Sequence, residues 1–575
     1  MKTTLIAALV AASTVCGASA AQKNYLRFTA RGGTAEIGMV DYYAGKTNPT
    51  PPLTLEWTDD PDAASWSLFE AGSTTLSLAD GETAYLRQHD PDRKAVTRNG
   101  YTFGWSFTMS NVTASATVEA GGNCLSIVDA TCESDTVATN ALCYLFSNCA
   151  ILATPPELPA TQLAPYAYYH SFDGCAALRT APELPAQKLG KYCYAYMFKG
   201  CEKLALAPKL AATTLAASCY ARIFEDCKSL VTPPALPADR MAERCYNGMF
   251  YNCKNLAFAP QLKSTELSAA CYASMFYGCT ALTEPPELPA TTVTNSCYSS
   301  MFANCSSLKT APVLPATVLD TSCYESMFSG ATSLVFAPHL PASTLVYRCY
   351  CSMFSGCSNL KRISVWFTKW QNDANQTYNW VNGVSRSGRF IKPSSLSATF
   401  GTDAIPPAWL TSPASTIQVP VTEGLSAVAL IDGETIRPTI SKTGLNNVFY
   451  LGLGGENVKL VFSPDEGYAL SGGVEYNYSP FNDVVQFGRT ESPLPTVVRL
   501  APEVSCQSAA LQFDGLAVEG GAMSLSFGVR TTAALDVPDW QPATVTGAAI
   551  SPDGKTVTLT IPATAAQGFY RLTEK

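Results

Sequence analysis

The sequence predicts an α/β solenoid of 26-residue repeats, each a short strand plus a helix, flanked by all-β sandwich-like domains. Three observations carry that prediction. Cysteine, leucine, proline and phenylalanine return at fixed spacing through the middle of the chain. Inside each repeat, an extended proline-bearing stretch precedes apolar residues at i, i+4 and i+8. On either side of the repeats, the hydrophobic pattern changes to alternation with a period of two. At 575 residues the chain is also too long for a single core, so several domains are expected.

Taken from the N-terminus, residues 1–20 have the anatomy of a secretory signal peptide. Lys2 supplies the positive start, Leu5 to Val15 the apolar core, and Ala18-Ser19-Ala20 the cleavage site. Secretion or display at the cell surface follows. Cys16 is preceded by Ser13-Thr14-Val15, a poor lipidation signal. No later run approaches the length of a membrane span, so no transmembrane segment is expected. Residues 21–115 alternate as strands do, at Leu53, Leu55 and Trp57 and again at Tyr101, Phe103, Trp105 and Phe107. Asp80-Gly81 and Asn99-Gly100 mark turns between them, and an antiparallel sandwich is the reading.

Residues 116–362 hold the repeats. Cys149, Cys175, Cys201, Cys227, Cys253, Cys279, Cys305 and Cys357 keep the period, with Ala331 in the one gap. Leucine follows three residues later each time, from Leu152 to Leu360. Pro156 to Pro338 and Phe172 to Phe354 form two unbroken columns. The extended piece of one unit is Leu178 to Pro185, where prolines fix φ and remove ladder donors, so a short irregular strand is expected. Leu189 to Gly200 reads as the helix, with Leu189, Cys193 and Met197 on one face beside Tyr194 and Phe198. Gly200, with its counterparts Gly174, Gly278, Gly330 and Gly356, reads as a left-handed helix cap. A unit this small cannot bury its apolar stripe alone, so the units must stack.

The unit C-x-x-L-x-x-A-P-x-L-P-A-x-x-L-x-x-x-C-Y-x-x-M-F-x-G resembles the repeat of the BspA-like bacterial leucine-rich repeat surface proteins. The resemblance spans roughly residues 120 to 410. Residues 363–412 read as the C-terminal cap, because Trp380-Val381-Asn382-Gly383-Val384, Gly388-Arg389-Phe390 and Ile405-Pro406-Pro407-Ala408-Trp409 are similar to the segment that closes such solenoids. The resemblance implies an α/β leucine-rich-repeat solenoid used in cell-surface adhesion and in binding host proteins. It implies no particular binding residue. Beyond the cap, residues 413–500 read as a β domain, with Val458 to Phe462 as a strand leading into Ser463-Pro464-Asp465-Glu466-Gly467-Tyr468. Residues 501–575 read as a C-terminal sandwich-like domain, with strands at Leu525 to Phe527, Val557 to Ile561 and Phe569 to Leu572.

Twenty-one cysteines in an exported chain raise the question of disulfides or metal. On a helix, Cys193 and Cys201 would lie roughly 12 Å apart, beyond the limit of about 7 Å for a bridge. Ala167 and Ala331 each replace one cysteine of a pair while the other stays. The chain has no C-x-x-C, and Cys349-Tyr350-Cys351 is its one close pair. Packing as small hydrophobes is the favoured reading, with bridges most plausible at Cys124, Cys132 or Cys143.

Charged residues make up only 15% of the chain and the net charge is −8, which argues against nucleic acid or an anionic membrane as partner. Nothing suggests an enzyme or a cofactor. His89 sits in a polar turn, and His170 and His339 occupy columns of varied residues, which read as solvated faces. A serine or cysteine nucleophile would therefore lack its commonest base. Gly452-Leu453-Gly454-Gly455 lacks the spacing of a dinucleotide loop. Leu158-Pro159-Ala160-Thr161 recurs inside the repeat and is no sorting signal. Trp366, Phe367, Trp370 and Trp380 read first as a plug for the open end of the core, and second as a glycan platform.

The position after the recurring proline holds Glu157, Glu183, Lys209, Gln261, Glu287 and His339, with Ala235 and Val313 as exceptions. A buried column would be apolar throughout. These six residues are therefore the candidate binding stripe, for an extracellular protein or host surface component. A structural surface spacer and a non-catalytic glycan-binding module are the alternatives.

Overall fold

The computed structural model describes residues 24–41, 52–97, 104–371 and 373–431, and beyond these only separate strand segments between 434 and 573. The chain divides into two compact units. Residues 1–418, 429–459 and 477–486 form the first, and residues 419–428, 460–476 and 487–575 the second. The signal peptide and the boundary expected near residue 500 lie outside the described residues.

The first unit opens with two sheets. Strands β1 (Leu26–Arg31), β3 (Thr54–Thr58), β4 (Ser67–Glu70), β6 (Thr83–Gln88) and β8 (Thr117–Gly121) form one, in the order β8-β1-β6-β3-β4. Strands β2 (Ala35–Asp41), β5 (Leu76–Leu78) and β7 (Trp105–Asn111) form the other, in the order β5-β2-β7. Phe28 of the first sheet meets Phe107 of the second edge to face, with ring centroids 5.0 Å apart. The sheet does not stop at the repeats. Past the two-residue β9 (Thr136–Val137), strand β10 (Leu152–Thr154) adds to β8 in parallel, and β11 (Gln162–Leu163) pairs with β9.

The repeats stack as coils, but the α/β leucine-rich-repeat solenoid is overturned. Among the described residues there is no α-helix, and the one helical piece is a 3-10 turn at Cys124–Ile127. The segment from Leu189 to Gly200, expected as a helix, is a run of overlapping β-turns. The N–H groups of Cys193, Ala195, Met197 and Lys199 each donate to the carbonyl three residues back. The alternate N–H groups, of Tyr192, Tyr194, Tyr196, Phe198 and Gly200, donate to the next coil, at Ala217, Cys219, Ala221, Ile223 and Glu225. Every backbone donor in the ribbon is thus satisfied, half locally and half across the stack. An α-helix would use every donor within its own coil.

The cost of this ribbon is a left-handed residue every fourth position. Tyr192, Tyr196 and Gly200 have φ of 57°, 57° and 69°, and Tyr166, His170 and Gly174 repeat them at 60°, 55° and 76° one coil earlier. A period of four in the backbone places side chains at i, i+4 and i+8 on one face, as the sequence shows, without a helix. Cys193, Met197 and Cys201 point inward with Tyr194 and Phe198. Gly200 is left-handed as expected, yet it ends no helix. It is the last of three left-handed positions in its coil.

Between the ribbon and the strand side lies a laddered core. Phe146 to Phe354 stack nearly parallel with centroid spacings of 5.1–5.8 Å. Tyr168 to Tyr350 form a second stack at 5.7–6.1 Å. The leucine column, Leu152 to Leu360, has no exposed surface. On the strand side the prolines suppress regular pairing as anticipated. Most coils contribute only isolated parallel bridges, such as Thr180 with Leu206 and Leu206 with Thr232. Regular parallel strands return at the end, where β12 (Phe336–Leu340), β13 (Arg362–Val365), β14 (Arg389–Lys392) and β15 (Leu410–Pro420) pair in sequence. Strand β16 (Leu425–Ile431) then turns back antiparallel to β17 (Glu434–Ile436).

The second unit is described as short antiparallel pairs, such as Leu516–Glu519 with Ala522–Leu525 and Gly528–Thr532 with Phe569–Thr573.

Candidate functional site

The post-proline column lies where the strand side meets solvent. Glu157, Glu183, Lys209, Gln261 and Glu287 are exposed, while the prolines before them are buried. Each buried proline is rigid and anchors the backbone, so the next side chain is directed outward in these coils. Glu157 is the most constrained of them. Its carboxylate accepts from Asn24 Nδ2 at 2.7 Å, and its backbone bonds to Gly122 and Cys124. Adjacent members of such a column stand about 5 Å apart.

His339 departs from the column. It is half-buried in a cleft shared by Phe336, Arg362, Thr435, Ile436 and Arg437. Its Nδ1 hydrogen bonds with Ser364 Oγ at 2.9 Å. Burial, with Arg362 nearby, holds the imidazole well below its ordinary pKa, so it is neutral at physiological pH. The expectation of a solvated face fails here because β17 packs against β12.

It fails at His170 too. That position is left-handed ribbon rather than helix surface. The imidazole is sandwiched between Tyr144 and Tyr196, at 4.7 and 4.5 Å, with Tyr169 against its edge at 4.3 Å. Its Nδ1 lies 2.7 Å from Asp173 Oδ2. With Tyr166 stacked on Tyr192 at 5.0 Å, this is an aromatic comb on the ribbon side that the sequence reading missed. Its signal was available, since Tyr144, His170 and Tyr196 occupy one column. His89 is the most exposed of the three histidines and lies 3.0 Å from Glu56.

Cys124 and Cys143 are free thiols, as are the cysteines of the repeat columns. The helix spacing used against bridges does not apply, because there is no helix. The cysteine column has a different role. Cys175, Cys201, Cys227, Cys253, Cys279 and Cys305 each donate Sγ–H to the phenylalanine carbonyl of the preceding coil, at 3.0–3.2 Å. Burial pushes these thiols up, Cys305 to about 12, so they stay protonated and unreactive. Among the described residues, no group of three His, Cys, Asp or Glu side chains could hold a metal ion.

At the far end Trp380 and Phe367 are fully buried. Trp380 Nε1 donates to the Ala404 carbonyl at 2.7 Å, and its ring closes both the Tyr350 and the Phe354 stacks. Trp370 donates to Ser397, and only Trp366 of the four is exposed, at 40%. These aromatics seal the core rather than form a platform. No described helix is long and apolar enough to cross a membrane. No protein-family model matches the chain, and no curated protein matches it.

Proposed function

We propose that this is an exported or cell-surface binding protein that recognises an extracellular protein along the strand side of its coil stack. The observation that carries the proposal is the contrast between columns. Those facing inward keep one residue type with few apolar exceptions, such as Ala167, Ile223 and Ala331, whereas the exposed post-proline column holds Glu157, Glu183, Lys209, Ala235, Gln261 and Glu287. A pure spacer has no need of such variation. The repeat's resemblance to BspA-like surface proteins and the signal-like first twenty residues support the same reading. Because the contacts are exposed charges, affinity should be modest and should fall with salt.

The test replaces Glu157, Glu183 and Glu287 together by Ala. The variant should melt as the parent does and lose most of its binding to whichever host extracellular protein the parent captures. Unchanged affinity at unchanged melting would remove the stripe from the account.

A further inference from the structure

One strand-side column is filled at one end and bare at the other. Five residues after each repeat cysteine position from Cys149 on lie Thr154, Thr180, Leu206, Thr232, Phe258, Glu284, Thr310, Phe336 and Arg362. Parallel bridges from Thr180 to Leu206 to Thr232 keep these positions in line across coils. At the C-terminal end, the chain's own extended segment sits on the column. Thr435, Ile436 and Arg437 share a cleft with Thr310, Phe336 and Arg362, and Arg437 lies 3.9 Å from Glu284. Under this cover Phe336 is only half-exposed. Phe258, the same residue type in the same column three coils earlier, is 64% exposed, Leu206 is 67% exposed, and neighbouring Val231 is 44% exposed. Single exposed apolar side chains are ordinary, but three on consecutive coils form a patch.

We propose that the open half of this column, around Leu206, Val231 and Phe258, binds an extended segment of a partner protein in the way its other half holds β17. The occupied half indicates the chemistry. An aliphatic side chain, Ile436, lines the same cleft as the aromatic Phe336, and a charge, Arg437, meets the opposite charge of the column, Glu284. Around the open half the charge is reversed. Arg179, Lys209 and Lys263 are exposed and make no ion pair among the described residues, whereas of the nearby carboxylates Glu202 is paired with Lys228 and Glu284 with Arg437, which leaves Glu183. The partner segment therefore carries an aliphatic side chain beside a carboxylate. The proposal rests on the reading of the protein as a binder and names the class of its ligand.

The probe is a labelled synthetic peptide with the sequence of residues 425–440 and Arg437→Glu, titrated against the full chain by fluorescence anisotropy. It should bind, and the native-sequence peptide should bind less tightly. The double variant Leu206→Glu, Phe258→Glu should weaken binding at least about tenfold with unchanged melting, because both side chains are exposed. Val318→Glu, at another site that is 74% exposed, should leave it unaltered. Failure of the peptide to bind, or equal binding to the double variant, would overturn the proposal. So would a parent dimer that the double variant dissolves, which would assign the face to a second copy of the chain. If the triple Glu→Ala variant loses its captured partner while the peptide ignores Leu206 and Phe258, the binder reading stands and this site falls.

Discussion

The two sides of each coil solve the backbone problem in opposite ways. On the ribbon side every N–H is paired, alternately within the coil and to the next one, and the side chains beneath are stacked aromatics without exposed surface. On the strand side the buried prolines cut pairing down to isolated bridges, and the side chains outside them vary. Inward positions are nearly fixed on both sides, and outward positions vary on both, since the ribbon-side column of His170 also holds Tyr196, Arg222, Gly248 and Ser274. What differs is how the backbone is held, by a continuous ladder on one side and by buried proline rings with isolated bridges on the other. In a nearest-neighbour stack the outward residues of either side can change without loss of the core.

Substitutions should separate the two sides by size of effect. Phe250→Ala, in mid-stack between Phe224 and Phe276 at 5.8 and 5.7 Å, should cost about 3–5 kcal/mol in denaturant unfolding. The thiols come next. Burial raises their pKa, Cys297 to about 11 and Cys305 to about 12, above the unfolded value of about 8.5. Their contribution is complete below the unfolded pKa and is lost as pH rises through the folded values. Stability should therefore fall between about pH 8.5 and 12, while native protein resists maleimide and denatured, unreduced protein reacts at most of its cysteines. Labelling of a small minority after denaturation would show that disulfides hold the stack.

Backbone substitutions should have smaller effects and carry opposite signs. Gly278 has φ of 71°, and a Cβ there would stand 2.3 Å from Asn252 Oδ1, so Gly278→Ala should cost about 1–2 kcal/mol. Ser274 carries a side chain at φ of 55°, and Ser274→Gly should be neutral or stabilising by up to about 1 kcal/mol. Smallest of all, Leu206→Ser on the strand side should change stability by less than about 0.5 kcal/mol. A large loss there would mean that the strand side is part of the core.

How much of this was legible in the sequence divides along the same line. The period, the inward columns, the outward post-proline column and the short irregular strand could all be read, because each depends on residue type repeated at fixed spacing. The ribbon was not legible, and its apolar spacing predicts a helix instead. Over two turns, i, i+4 and i+8 spread over about 80° at a period of 3.6 and do not drift at a period of 4.0, so both periods keep them on one apolar face. The deciding signal was the column Asn148, Gly174, Gly200, Asp226, Asn252, Gly278, Asn304, Gly330 and Gly356, made entirely of residues that tolerate left-handed backbone. The left-handed conformation is legible at Gly200, where one such residue per coil suits a helix cap as well as a ribbon. The other two, Tyr192 and Tyr196, give no such warning. The burial of His339 depends on β17, nearly one hundred residues away in sequence, and no local pattern announces that contact.

The central claim is that stacked turn ribbons, not helices, build the coils. Far-UV circular dichroism of the full chain tests it most directly. The spectrum should be one of strand and turn, without the double minimum of α-helix. A clear helical double minimum, lost on unfolding together with the aromatic signal of the Tyr and Phe stacks, would contradict it.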